Sequence, residues 1–246
     1  MASEVSRENE SDILSNMNFN QKVVVVTGGS KGFGKALAKA FISEGAQVVI
    51  TSTNEAELKV AAEEIGAEYF VADASSFDDT SSLANYVHEK FGKIDVWINN
   101  AGIQIAPSSV EAVNIEKLHK LFEINFFGYF YGCMAALKIM KDQGEGAIVN
   151  INSTAALSGK PGISAYVSSK FAIKGLSETI REELKDTSIN LYQIFPGGMQ
   201  TDIYHEKIPA DIDEYMQVDY ALGKVMSNFK AETPELDLVI KRPSAA

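Results

Sequence analysis

Short unbroken apolar runs alternate along this chain with longer stretches of helical period. Residues 22–27 hold Val23, Val24, Val25 and Val26 in succession. A β-branched run without polar alternation predicts a strand buried on both faces. Leu37, Ala38, Phe41 and Ile42 then recur at helical spacing, and Gly45 is the predicted stop. Further strands are predicted over 47–51, 68–72, 94–98, 147–151, 189–195 and 236–240, with helices over 76–91, 115–142, from about Tyr166 through Leu184, and up to about Lys230. On the helix after Tyr166, the core stripe is Ile173, Leu176, Ile180 and Leu184. Strand and helix alternate without an internal repeat or linker, so the expectation is one α/β domain over 21–246. Residues 1–20 are polar and acidic with little to bury, and they read as a disordered tail.

Punctuation between these elements carries the candidate chemistry. Gly28-Gly29-Ser30-Lys31-Gly32-Phe33-Gly34 lies between the first strand and the first helix. Strand, glycine-rich turn and helix in that order predict a dinucleotide site, where backbone approaches a pyrophosphate and the helix N-terminus offers N–H groups. In NAD-binding sheets an acid about 20 residues later holds the ribose 2′-hydroxyl. Ser52, Thr53 and Asn54 occupy those positions without a carboxylate. Glu55 and Glu57 read as first-turn acids of the next helix, with Asn54 and Glu57 as a capping box. Lys31 is the candidate partner for a 2′-phosphate.

Ser153 stands at the carboxyl end of the fifth apolar run, the edge where open α/β sheets place their ligands. Tyr166 and Lys170 share one helix face a turn apart. An ammonium beside a phenol favours the phenolate and should lower the phenol pKa from about 10. A tyrosine so tuned passes a proton near neutral pH. Asn125, inside an otherwise apolar helical stretch, is costly unless its amide is satisfied.

Composition narrows the class. The chain has 246 residues, 46% hydrophobic and 22% charged, as in an ordinary globular protein. No apolar run nears the ~20 residues that span a bilayer, and the first twenty residues lack a signal-peptide core. The expected location is therefore cytoplasmic. A net charge of −11 argues against nucleic acid or an anionic membrane as partner. His88, His119 and His205 show no ligand spacing, and with a single cysteine, Cys133, no metal site is expected.

Taken together, Thr27-Gly28-x3-Gly32-x-Gly34, Asp73, Asn99-Asn100-Ala101-Gly102, Asn125, Ser153, Tyr166-x3-Lys170 and Pro196-Gly197 with Thr201 closely resemble the short-chain dehydrogenase/reductases, over 22 to about 202. The resemblance implies a Rossmann-type, doubly wound parallel sheet of about seven strands with helices on both faces. It also implies hydride transfer between a nicotinamide and a carbonyl or alcohol. By resemblance Tyr166 is the proton donor or acceptor, and Lys170 tunes it and holds the nicotinamide ribose. Ser153 orients the carbonyl oxygen, and Asn125 holds a water linking Lys170 to solvent. The implied cofactor set is Gly28, Ser30, Lys31, Gly32, Phe33, Gly34, Ser52, Thr53, Asp73, Ala74, Asn99, Ala101, Gly102, Pro196, Gly197 and Thr201, with Tyr166 and Lys170. Asp73 is expected at the adenine, Asn99 and Gly102 on the adenosine side, and Thr201 at the carboxamide. A basic residue before the second glycine, with no acid after strand two, looks like the NADP(H) type, although Thr53 stands where an arginine is usual; NAD(H) is not excluded. A homo-oligomer, dimer or tetramer, is implied. The chain closes on Lys241-Arg242-Pro243-Ser244-Ala245-Ala246 instead of the glycine-rich segment of many members, which leaves the number of subunits open.

The expected substrate wall is Ile103, Gln104, Ile105, Ala155, Leu157, Ile203 and Tyr204, with a lid over about 202–222. It is largely apolar and offers no charged anchor, which favours a small apolar carbonyl. Two other functions are carried beside that one. The first is reduction of 3-oxoacyl groups on a carrier protein, which the acidic lid would repel. The second is a nicotinamide-bound regulator, which has no need of a complete proton path.

Overall fold

Seven strands lie in one parallel sheet in the order β3-β2-β1-β4-β5-β6-β7. They are β1 (Val23–Thr27), β2 (Gln47–Ser52), β3 (Glu68–Val71), β4 (Val96–Asn99), β5 (Glu145–Ile151), β6 (Ser188–Pro196) and β7 (Asp237–Ile240). The expected doubly wound sheet is what the chain forms, and the strand order reverses between β1 and β4. A crevice opens outside the carboxyl ends of such a pair. The computed structural model describes residues 18–204 and 206–243.

Burial on both faces explains why the strands read as continuous apolar runs. Val24 and Val26 of β1 pack with Leu37 and Phe41 of α1 (Gly32–Ser43) and with Val225 and Phe229 of α7 (Val218–Phe229). Val23 and Val25 face the other way. They pack with Leu83 and Val87 of α3 (Phe77–Phe91), Ala136 of α5 (Gly128–Gln143), and Ile180 and Leu184 of α6 (Ser164–Leu184). Each such valine contributes about 1.5–3 kcal/mol by leaving water.

Two expectations change at the element level. The predicted helix over 115–142 is interrupted. It runs as α4 (Ile115–Phe122), a π-helical turn at Glu123–Phe127, and then α5. The tail expected over 1–20 lies outside the described residues as far as position 17, yet Phe19 is fully buried, its ring 4.9 Å from Phe41 and 6.4 Å from Phe229. The folded domain therefore begins earlier than residue 21.

Asn54 caps α2 (Glu55–Ile65) by accepting the Glu57 N–H at 3.2 Å, one half of the expected capping box, while its own N–H goes to Ser52 Oγ at 3.4 Å and not to Glu57. In the segment expected as a lid, two 3-10 turns, Asp202–Tyr204 and Ile212–Glu214, precede α7 at Val218, and Met199 and Met216 bridge its neck. Among the described residues no helix is long and apolar enough to cross a membrane, and no cluster of metal-ligating side chains forms. His205 lies outside the described residues.

Candidate active site

The exit of β1 is stitched to the exit of β4. Thr27 donates its hydroxyl to the Ile98 carbonyl and accepts the N–H groups of Asn100 and Ala101 at 2.9 and 3.1 Å. Asn100 Nδ2 in turn donates to the carbonyls of Thr27 and Gly28 at 2.9 and 3.1 Å. The glycines follow from this crowding. Gly28 adopts φ +65°, and a Cβ on Gly34 would lie 2.3 Å from the Gly28 carbonyl oxygen and 2.4 Å from Asn100 Nδ2. Lys31 stands at the N-cap of α1 without a side-chain cap bond, so the first N–H groups of the helix stay available. This is a cradle into which backbone, and no side chain, can approach a phosphate, and it fits a dinucleotide.

A cleft of about 540 Å³ runs from that cradle across the carboxyl edge of the sheet. It is bordered by every residue of the predicted cofactor set except Asn99, and by Ser153, Tyr166 and Lys170. Asp73 is fixed there by its own turn, with Oδ1 accepting the N–H and hydroxyl of Ser75 at 2.9 and 2.6 Å. Asn99 lies elsewhere. It is 1% exposed and bonds Trp97 Nε1 at 2.8 Å and Asn150 at 2.8 Å in the core, while its neighbour Asn100 takes the cleft position. Successive strand residues face opposite sides, so a shift of one position exchanges the two.

Ser153 leaves the end of β5 in extended conformation, its hydroxyl accepting the Ala155 N–H at 3.1 Å. Tyr166 is buried on the first turns of α6 against Leu121, Ala155 and Ala165. Burial pushes its phenol up to about 12, against the opposing pull of a hydrogen bond with Ser153. Lys170 is 3% exposed; its Nζ donates to the Ile151 carbonyl at 3.1 Å and lies 5.7 Å from the centre of the Tyr166 ring. Burial lowers its ammonium to about 7. The expected lowering of the tyrosine by the lysine is thus reversed in this structure. Burial disfavours the charged form of both groups, and desolvation of the phenol outweighs the pull of its neighbours.

Asn125 is fully buried in the π turn. It accepts the Ile103 N–H at 2.8 Å, returns Nδ2 to the Ile103 carbonyl at 2.9 Å, and reaches Ser169 Oγ at 3.3 Å. That reciprocal pair removes the cost of burying the amide. It also commits the side chain to pinning the Ile103 loop.

Several site residues escape sequence reasoning. Tyr129 is buried beneath Lys170; its hydroxyl shares the Ile151 carbonyl at 2.7 Å, with Lys170 Nζ 5.1 Å from its ring centre. Of the expected substrate wall, Ile103, Gln104, Ala155, Ile203 and Tyr204 border the cleft, whereas Ile105 and Leu157 do not. Met199 from the exit of β6, Tyr215 from the lid and Arg242 from the C-terminal segment also border the cleft, and Lys160 joins from the β5–α6 connection. The substrate end is therefore not free of charge. No local pattern marks Arg242, which arrives only because Ile240 of β7 pairs with Pro196 of β6.

Comparison with known proteins agrees with this geometry. The family model described as short chain dehydrogenase matches residues 22–213. A 3beta-hydroxysteroid dehydrogenase of Mediterraneibacter gnavus is 36% identical over 211 residues, which cover 84% of this chain and 76% of that protein. An NADP-dependent (R)-specific alcohol dehydrogenase of Lentilactobacillus kefiri is 35% identical over 187 residues, 73% of this chain and 74% of that one. Among solved structures, a 3-ketoacyl-(acyl-carrier-protein) reductase of Brucella melitensis complexed with NADH superposes with a TM-score of 0.84 at 25% identity, covering 90% of this chain and 97% of that one.

Proposed function

The chain belongs to the short-chain dehydrogenase family of oxidoreductases, and on that premise we propose that it is an NADP(H)-dependent enzyme interconverting a ketone or aldehyde, on a largely apolar body, with its alcohol. The observation that carries this reading is the meeting of Ser153, Tyr166 and Lys170 on one cleft with the glycine cradle. When bound, a nicotinamide supplies or accepts the hydride. Tyr166 holds its proton at neutral pH, as its burial requires, and delivers it to the developing alkoxide in the reductive direction. Ser153 orients the carbonyl oxygen and stabilises its growing charge. Lys170 binds the ribose side and feeds the proton path, which passes Asn125.

Preference for the 2′-phosphate rests on Lys31. It is exposed at the mouth of the cradle, and Ser52 and Thr53 border the same cleft without a carboxylate. Lys31→Ala should weaken NADPH binding about 10- to 100-fold, the value of a charge-assisted phosphate contact, and leave NADH nearly unchanged. Fluorescence titration with each cofactor tests this, and equal losses would remove Lys31 from the role.

Relatives that act on steroids and alcohols support an apolar substrate body. Against a carrier-borne acyl group stand Asp202, Asp211, Asp213, Glu214 and Asp219, all exposed around the lid, since an acidic partner would be repelled. A panel of simple ketones, oxosteroids and a 3-oxoacyl carrier substrate, followed by NADPH absorbance, tests the assignment. A large preference for the carrier-bound form, suppressed by salt, would favour the alternative. A regulatory, non-catalytic role would show as bound cofactor with no turnover of any compound.

A homo-oligomer is part of the same proposal. Phe127, Phe130 and Met134 form an exposed apolar stripe at helical spacing, with Phe171 exposed on neighbouring α6. Light scattering checks it, and the mass of a single chain would refute it.

A further inference from the structure

On the reading that this cleft turns over carbonyl compounds, we infer that its substrate carries a carboxylate, received by Arg242 where the C-terminal segment borders the cleft. Arg242 is brought to the cleft by sheet register. Gly197 donates its N–H to the Ile240 carbonyl at 2.9 Å, which holds the exits of β6 and β7 side by side and delivers the residues after β7 to the substrate end.

There the guanidinium carbon lies over the Tyr215 ring, 3.9 Å from its centre. A contact of this kind holds the cation by its attraction to the ring face and restricts where the guanidinium can move. Gly198 makes room for the stack: a Cβ there would lie 2.6 Å from the Tyr215 ring and 3.1 Å from Arg242 Nη2. Tyr215 meets Tyr204 edge-on at 5.5 Å, and Tyr204 feels the charge of both Tyr166 and Arg242. Tyr166, Tyr204, Tyr215 and Arg242 border one and the same cleft.

Arginine has five N–H donors. Among the described residues those of Arg242 make no hydrogen bond; the single ionic neighbour, Asp211 Oδ2, stands 3.6 Å away, beyond hydrogen-bonding reach. A planar, restrained and unsaturated guanidinium bordering a cleft is suited to a carboxylate, which it can bind through two parallel bonds. Lys160, bonded to Thr154, adds a second positive charge to the lining, whose acids are Asp73, at the expected adenine position, and Asp202. The remaining lid acids are exposed and screened by salt.

The test uses the full chain and NADPH with a series of oxocarboxylic acids that differ in the number of carbons between ketone and carboxylate, each beside its methyl ester. At the fitting length kcat/KM should favour the acid by at least about tenfold, the equivalent of one charge-assisted pair. In Arg242→Gln that acid-to-ester ratio should fall to near one, whatever happens to the two rates together. Arg242→Lys should keep part of the preference, and Asp211→Asn, which removes the competing carboxylate, should increase it. An acid-to-ester ratio that Arg242→Gln leaves unchanged, or no acid preference at any length while esters are reduced, would overturn the inference and leave the carbonyl-reductase reading standing. Failure to reduce any acid or ester would overturn that reading and this inference with it.

Discussion

Replacing Tyr166 by phenylalanine should lower turnover by at least about 10²–10⁴-fold, the range credited to a positioned general acid, with NADPH still bound. The substitution removes one oxygen and keeps the ring that packs on Leu121, Ala155 and Ala165, so cavity formation is not at issue. The lost hydroxyl bonds Ser153, whose own hydroxyl keeps its contact with the Ala155 N–H, so the loop around it should hold. Stability should therefore change by no more than about 1 kcal/mol, the net value of one hydrogen bond. The barrier should rise by about 3–5 kcal/mol at roughly 1.4 kcal/mol per decade. A phenol held near 12 is protonated through the physiological range, so the loss should appear at every pH between 6 and 9 in the reductive direction. Single-turnover kinetics beside a cofactor titration separate chemistry from binding. Near-normal turnover with intact binding would mean that the proton comes from elsewhere, and the mechanism would fail.

What could be read from the sequence was whatever chain neighbours enforce. Val23 to Val26 announce a strand buried on both faces because no residue in the run tolerates water, and the structure packs alternate valines onto opposite helical layers. The spacing of Tyr166 and Lys170 fixes their shared helix face, and the glycine turn is legible because Gly34 has no room for a Cβ. Burial is not written in spacing, however. The lysine–tyrosine pair was expected to favour the phenolate, and desolvation of both groups reverses that balance. The Asn99–Asn100 pair shows a finer limit: the motif supplies two amides, and only the parity of β4 decides that Asn99 joins Trp97 in the core while Asn100 ties down the glycine turn. Asn125 could be seen as a buried amide in need of partners, but its partner is the backbone of Ile103, and only the folded chain brings the two together. Tyr129 and Arg242 leave no local trace, because each acts through a contact made by the folded sheet.

Lys170→Met should give a protein that is more stable than the parent at pH 6 and at least about 10²-fold slower, the lower end of what proton-transfer groups contribute. Methionine nearly preserves the volume of the lysine stem and removes a charge that is 3% exposed. The Ile151 carbonyl loses Lys170 Nζ and keeps the Tyr129 hydroxyl at 2.7 Å, so no acceptor is orphaned. An unfolded lysine holds its proton up to a pKa of about 10.4, whereas burial brings that of the folded chain to about 7. Between those limits the unfolded chain binds more protons, so the parent's stability rises with pH across the window. Below about 7 the full cost of burying the ammonium is present, on the order of a few kcal/mol. The advantage of the variant in Tm should therefore be largest at pH 6 and shrink towards pH 10, where a neutral lysine and a methionine cost the fold nearly the same. Thermal denaturation of both proteins across that range, without cofactor, measures the gap, and kcat measures the loss. A gap independent of pH, or a parent more stable than the variant at pH 6, would show that the site solvates Lys170 well enough to keep it charged. In that case the lysine would have the charge to lower the Tyr166 pKa after all, and the expectation drawn from their spacing would stand.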